Sequence, residues 1–167
     1  NDPVIMKISD CEFWISLADS DYFQYVLGVA GALRMDVDID DPGIAPLAVQ
    51  GPKSEKLMCA LFGEDIKLLP FFRHKKYEYH DQQIIISRSG YSKQGGFEIY
   101  VPPSIDGMQL WNDLLVAGKD LNVKVGCPNL IERIEAGLLS YGNDMSRLDT
   151  PFEAGLGAYI DSPFDFI

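Results

Sequence analysis

The stretch Ser87-Arg-Ser-Gly-Tyr-Ser-Lys-Gln-Gly-Gly-Phe-Glu-Ile-Tyr-Val101 decides the fold. An apolar strand, Ile84-Ile85-Ile86, runs into it and ends at Ser87-Arg88. Gly90 and the pair Gly95-Gly96 then permit backbone conformations that other residues resist. A new strand opens at Phe97. Side chains alternate along a strand, so Phe97, Ile99 and Val101 share one face and Glu98 and Tyr100 the other. Two readings follow. In the first, this is a hairpin with a polar outer face. In the second, the polar face is a small-molecule pocket. There Glu98 accepts from a planar N–H pair, Tyr91 forms an aromatic wall and Tyr100 donates a hydroxyl.

Working outward, residues 3–8 and 12–17 read as strands joined by the turn Asp10-Cys11-Glu12. Ala18-Asp19-Ser20-Asp21 offers N-cap side chains to a first helix, with Tyr22, Tyr25, Val26, Val29 and Leu33 at helical spacing. Met35 to Ile39 alternates like a strand, and Ile44 to Val49 is a second candidate, broken by Pro46. Gly51-Pro52 leads into a helix with Leu57, Met58, Leu61 and Phe62 inward and Gly63 at its end. Residues 64–80 are mixed, with Phe71 and Phe72 expected inside and His74 and His80 in an exposed loop or hairpin. Ser104 is a candidate cap for a third helix, with Met108, Trp111, Leu114 and Leu115 facing in. Pro128 opens a fourth, with Leu130, Ile131, Ile134 and Leu138 as its stripe.

Strand pairs interrupted by single helices predict an α+β fold, antiparallel sheets with flanking helices. No GxGxxG follows a strand, which argues against a dinucleotide fold. The expected division is 1–42 and 43–167. The chain opens at once into a strand-like run at Pro3 and ends as abruptly at Phe164-Asp-Phe-Ile167, so it reads as an internal piece of a longer protein.

The 167 residues are 47% hydrophobic and 23% charged, enough apolar surface for a folded core. A net charge of −11 lacks the cationic footprint that nucleic acid or an anionic membrane requires, so neither partner is expected. The acidic cluster Asp36, Asp38, Asp40 and Asp41 does not follow the calcium-loop pattern. Cys11, Cys59 and Cys127 stand far apart without metal-ligand spacing. Reduced thiols in a cytoplasmic compartment account for them most simply.

Four segments occur in a familiar order: LAVQGPKS (47–54), SRSGYSKQGGFEIYV (87–101), RIEAGLLSYGND (133–144) and TPFEAGLG (150–157). This set resembles the glycine-cleavage T-protein superfamily of folate-dependent one-carbon transferases. Ordinary aminomethyltransferases of that family carry GYTGEDG where this chain has GYSKQGG. They also carry an Arg where Asn129 stands. WISLADSD (14–21), SKQGG (92–96) and CPNLIERIE (127–135) instead resemble the branch that moves a methyl group from dimethylsulfoniopropionate to tetrahydrofolate.

The resemblance implies a partial folate-binding core, with tetrahydrofolate as cofactor and a small sulfonium as substrate. It implies Asp2 as the catalytic carboxylate, with Asn1 replacing a neighbouring acid. Glu98 would bind the pteridine amino edge and Tyr91 would line the ring. Tyr100, Val4 and Ser16 fall near the same pocket. Tyr141 lies in the matching YGND motif, where a structural role is equally open. Two alternatives stay open: an aminomethyltransferase of the glycine cleavage system, or a non-catalytic folate-binding module. Self-association of the 167-residue piece is expected, because surfaces for the absent segments would be apolar.

Overall fold

The computed structural model describes residues 3–17, 21–127 and 130–160. Two strands, β1 (Val4–Lys7) and β2 (Phe13–Ser16), form an antiparallel hairpin with Val4 opposite Ser16 and Met6 opposite Trp14. The chain reverses between them through Ile8 and Ser9 amides that both donate to the Glu12 carbonyl. Helix α1 (Tyr22–Leu33) follows.

The remainder builds a four-stranded antiparallel sheet from β3 (Ala45–Gln50), β4 (His74–Tyr79), β5 (Gln82–Ser87) and β6 (Gly96–Val101), in the spatial order β3-β6-β5-β4. Helices α2 (Ser54–Phe62) and α3 (Gly107–Ala117) cover one face. Leu57, Met58, Phe62, Leu110 and Leu114 pack there against Tyr77, Ile84, Ile86, Phe97 and Ile99. Fully burying a side chain such as Phe97 stabilises by about 1.5–3 kcal/mol. The opposite face carries Ile85 and Tyr100, and the β1–β2 hairpin closes on them through Met6, with Val4 and Trp14 alongside. The fold is therefore α+β with two antiparallel sheets, as the alternation of strands and helices predicts.

Local chemistry sets the element ends. Gly63 stops α2 at φ +91, its amide returning to the Cys59 carbonyl. The cap of α3 is Asp106, whose carboxylate accepts from the Met108 and Gln109 amides at 3.0 and 3.1 Å, so the expected cap at Ser104 is corrected by two residues. Arg88 locks the end of β5 to α2 and the turn after it. It donates to Glu55 at 2.8 Å and to the Lys67 and Leu69 carbonyls, while its guanidinium lies over the Phe97 ring. At the other end of the hairpin β4–β5, Tyr79 and His80 both bond Asp113 of α3.

Several expectations change. Met35 to Ile39 forms no strand; the Arg34 backbone turns left-handed at φ +52 and the Met35 amide caps α1 at the Ala30 carbonyl. An alternating pattern with no neighbouring strand has no ladder to join. Phe71 and Phe72 meet edge to face in the turn before β4 instead of entering the core, and Phe71 is 67% exposed. Of the loop or hairpin expected around His74 and His80, the hairpin is present: β4 pairs with β5 and sends Tyr77 and Tyr79 inward. In α3, Leu110 and Leu114 face in while Met108 is 68% exposed.

Helix α4 (Leu130–Glu135) buries Arg133 and leaves Leu130, Ile131 and Ile134 outward. Helix α1 buries only Ala30 among its residues, with Tyr25, Val29 and Leu33 exposed. The expected N-cap side chains at 18–20 and the expected helix start at Pro128 lie outside the described residues.

The buried Ile86 and the exposed Phe71 give unequal stability effects. Ile86→Ala, at the centre of the sheet, should lower unfolding free energy by about 2–5 kcal/mol in a urea titration. Phe71→Ala should stay within about 0.5 kcal/mol of the parent. Equal losses would contradict this core assignment.

Candidate functional site

Strand parity puts Glu98 and Tyr100 on the face of β6 opposite the helices. β5 supplies Ser87 directly across from Glu98, and β4 supplies His74 across from Ser87. The β1–β2 hairpin lies over the same face, so its inward pair Val4 and Ser16 arrives beside these residues. A cleft of about 320 Å³ runs between the two sheets, lined by Val4, Met6, Phe72 and His74 with Ser87 and Ser89.

The polar groups form a short chain. Ser89 Oγ donates to Glu98 Oε2, and the Ser87 and Ser89 hydroxyls bond each other. The Tyr100 hydroxyl is the exception. Tyr100 is 3% exposed, and its hydroxyl has no hydrogen-bond partner among the described residues. Burial pushes its phenol above the ordinary value, and the Glu98 charge adds to the shift. The Ser87, Ser16 and Ser89 hydroxyls lie close enough to oppose that shift, yet none meets the geometry of a hydrogen bond to it. The edge of Trp14 meets the Tyr100 ring with centroids 6.3 Å apart and holds it in place.

A buried hydroxyl without a partner costs about 1–3 kcal/mol. Placed near a carboxylate that retains accepting capacity, it suits a ligand bearing both a hydrogen-bond acceptor and a planar N–H edge. A pterin is one ligand that carries both kinds of group. Among the described residues, no cluster of three or more His, Cys, Asp or Glu could hold a metal ion. The three cysteines are free, and His80 is engaged with Asp113.

The loop between β5 and β6 is tied down at both flanks. Gln50 at the end of β3 bonds the Ser89 and Phe97 carbonyls and the Ser92 hydroxyl. On the other flank the Tyr91 hydroxyl donates to the Leu139 carbonyl at 2.6 Å and Lys93 Nζ to the Ala136 carbonyl at 3.0 Å. Tyr91 thus spends its hydroxyl on the segment after α4, and its side chain stays partly exposed.

The sequence-derived candidates divide accordingly. Glu98, Tyr100, Val4 and Ser16 come together on one face. Tyr91 stands in the adjoining loop. Tyr141 sits half-buried in the turn after α4, its backbone bridging Met145, and no hydrogen bond or ring contact joins it to Glu98 or Tyr100. Its motif does structural work through Asp144, which bonds the buried Arg133 and accepts from the Ser140 amide at 2.9 Å. Asp2 and Asn129 lie outside the described residues. Ser87, Ser89 and Gln50 escaped the sequence reading. The Ser-Arg-Ser spacing before the glycine loop was the only signal for the serines, since both point to the Glu98 side.

The family described as GCVT N-terminal domain matches residues 1–162. The chain belongs to that family. Among curated relatives, "Dimethylsulfoniopropionate demethylase DmdA" of Ruegeria pomeroyi is 54% identical over 167 residues, all of this chain and 46% of that protein. An "Aminomethyltransferase" of Caldanaerobacter subterraneus is 38% identical over 142 residues, covering 83% of this chain and 37% of the relative. One from Clostridium botulinum is 32% identical over 168 residues, 96% of this chain and 45% of the relative. The chain spans less than half the length of the curated relatives it matches. In this GCVT-family chain the Glu98 face is thus built within the region that the family shares.

The orphan hydroxyl makes a prediction. Tyr100→Phe removes an unpartnered polar atom and keeps the ring against Trp14. Thermal melting at neutral pH should show a melting temperature equal to or above the parent. Above pH ~10 the parent should lose stability, because the unfolded phenol ionises while burial holds the folded one neutral; Tyr100→Phe should lessen that loss. A clear drop in neutral-pH stability would show that the hydroxyl has a partner after all.

Proposed function

We propose that this chain contributes part of the folate pocket of a tetrahydrofolate-dependent methyltransferase that takes a methyl group from dimethylsulfoniopropionate. The observation that carries this reading is 54% identity across the entire chain to a protein named as that demethylase, against 32–38% for the aminomethyltransferases. The pairing of Glu98 with the unpartnered Tyr100 hydroxyl supports the pocket itself.

On this reading Glu98 accepts from the pterin amino edge, with Ser89 orienting its carboxylate. Tyr100 donates to an acceptor on the ligand, and Val4 and Ser16 close the pocket from the hairpin side. Tyr91 lends a ring at the loop. Tetrahydrofolate, when bound, would supply the nucleophilic nitrogen that receives the methyl group. Asp2 precedes β1 by two residues and would stabilise positive charge as it develops on that nitrogen. A sulfonium carries its own good leaving group, so the main task left to the protein is alignment, worth up to ~7–11 kcal/mol in favourable cases.

Residues 1–42 would complete one subdomain of the folate core and 43–167 form the next. A cytoplasmic setting belongs to the same proposal. So does self-association of the isolated chain through the outward apolar side chains of the hairpin and α1, among them Ile5, Phe13, Tyr25 and Leu33. A monomer in sedimentation would remove that last point.

The test uses the full-length protein with two methyl or aminomethyl donors in parallel: dimethylsulfoniopropionate, and an aminomethylated lipoyl carrier protein. Turnover with the sulfonium alone is expected. Turnover with the carrier alone would shift the reading to an aminomethyltransferase, and folate binding without either reaction to a binding module. Glu98→Ala should weaken tetrahydrofolate binding by about 1.5–3 kcal/mol in calorimetry. Asp2→Asn should lower turnover with an unchanged melting temperature. Unaltered folate affinity in Glu98→Ala would remove Glu98 from the pocket.

A further inference from the structure

The hydrogen bond from Ser89 to Glu98 has both its ends held by a single side chain. Gln50 Nε2 donates to the Ser89 carbonyl at 3.0 Å and to the Phe97 carbonyl at 3.1 Å. Ser89 is the residue that donates to Glu98, and Phe97 is the residue before Glu98 in β6. The other end of the same amide, Gln50 Oε1, accepts from Ser92 Oγ at 2.8 Å and so fixes which way the amide faces. Both of its N–H donors and its carbonyl are in use. A glutamate here would set an acceptor against two carbonyl oxygens. An apolar side chain would leave those two carbonyls without this donor.

The glycines of the loop make room for this side chain. A Cβ on Gly90 would lie 2.1 Å from Gln50 Oε1, and one on Gly96 would lie 2.5 Å from Gln50 Cδ. Gly90 also has φ +153. Close approach of the Gln50 amide therefore accounts for two of the glycines whose use in the sequence suggested only backbone freedom. The Gly51 amide reinforces the arrangement by donating to the Gly95 carbonyl at 2.8 Å.

We infer that Gln50 is a positioning residue for the Ser89–Glu98 pair. It sets the affinity for the planar N–H edge of the ligand without touching the ligand. The inference rests on the reading of Glu98 as the pterin acceptor. Gln50 does not contribute a group to the cleft; it holds the Ser89 and Phe97 backbones so that the Glu98 carboxylate points one way when a ligand arrives.

The test is a double-mutant cycle in the full-length protein, with tetrahydrofolate affinity read by calorimetry under reducing conditions and melting temperatures recorded alongside. The variants are Gln50→Met, Glu98→Ala and the pair. Gln50→Met should weaken binding about tenfold when Glu98 is present and hardly at all when Glu98 is already alanine. A residue that merely supports the loop would weaken binding by the same factor in both backgrounds, and that result overturns the inference. Gly96→Ala is the second route, because its Cβ presses on the Gln50 amide while leaving Gln50 itself intact. It should repeat the Glu98-dependent loss. If Gln50→Met does not fold, a folded Gly96→Ala protein with parental affinity overturns the inference equally. If Glu98→Ala alone leaves affinity unchanged, the acceptor reading of Glu98 fails and the role of Gln50 falls with it. Loss in Glu98→Ala with additive loss in Gln50→Met removes only Gln50.

Discussion

Strand β6 can be seated in only one register. Phe97, Ile99 and Val101 fill the space under α2 and α3, and the same two-residue period then sends Glu98 and Tyr100 to the opposite face. A slip of one residue would drive the Glu98 carboxylate into an apolar core, at a desolvation cost far above any single packing gain. The hydrophobic core and the polar face are therefore one constraint. What stabilises the sheet also aims the candidate site.

The second sheet turns that polar face into a cleft. Met6 of the hairpin packs on Ile85 and Tyr100, and Trp14 buttresses the Tyr100 ring. Without the hairpin, Tyr100 would be solvated and its hydroxyl satisfied by water. With it, the hydroxyl is buried and has no partner among the described residues, which costs stability and favours a ligand able to accept from it. The site is thus built from two segments far apart in the chain, and the glycine loop clamped by Gln50 joins them at one end.

Much of this was legible from residues alone. The parity of β6, the α2 stripe ended by Gly63 and the antiparallel α+β class follow from period, turn chemistry and element order. Glu98, Tyr100, Val4 and Ser16 could be grouped because strand faces and family resemblance agree. Helix facing was less legible. The apolar stripes of α1 and α4 show that helices form, but a stripe does not say what covers it. In α4, Arg133 takes the buried side because Asp144 is there to receive it, eleven residues on. The alternation over Met35 to Ile39 has no strand beside it to pair with. Ser89 and Gln50 were missed for a different reason. Their roles depend on side-chain hydrogen bonds spanning 39 and 47 residues, which no local pattern encodes.

The central claim is that the face carrying Glu98 and Tyr100 receives the pterin. A crystal structure of the full-length protein with 5-methyltetrahydrofolate tests it most directly. The expected result is a pterin in the cleft between the two sheets, its amino edge within hydrogen-bond distance of the Glu98 carboxylate and an acceptor opposite the Tyr100 hydroxyl. A pterin bound elsewhere, with Glu98 still joined only to Ser89 and the Tyr100 hydroxyl still unpartnered, would contradict the account.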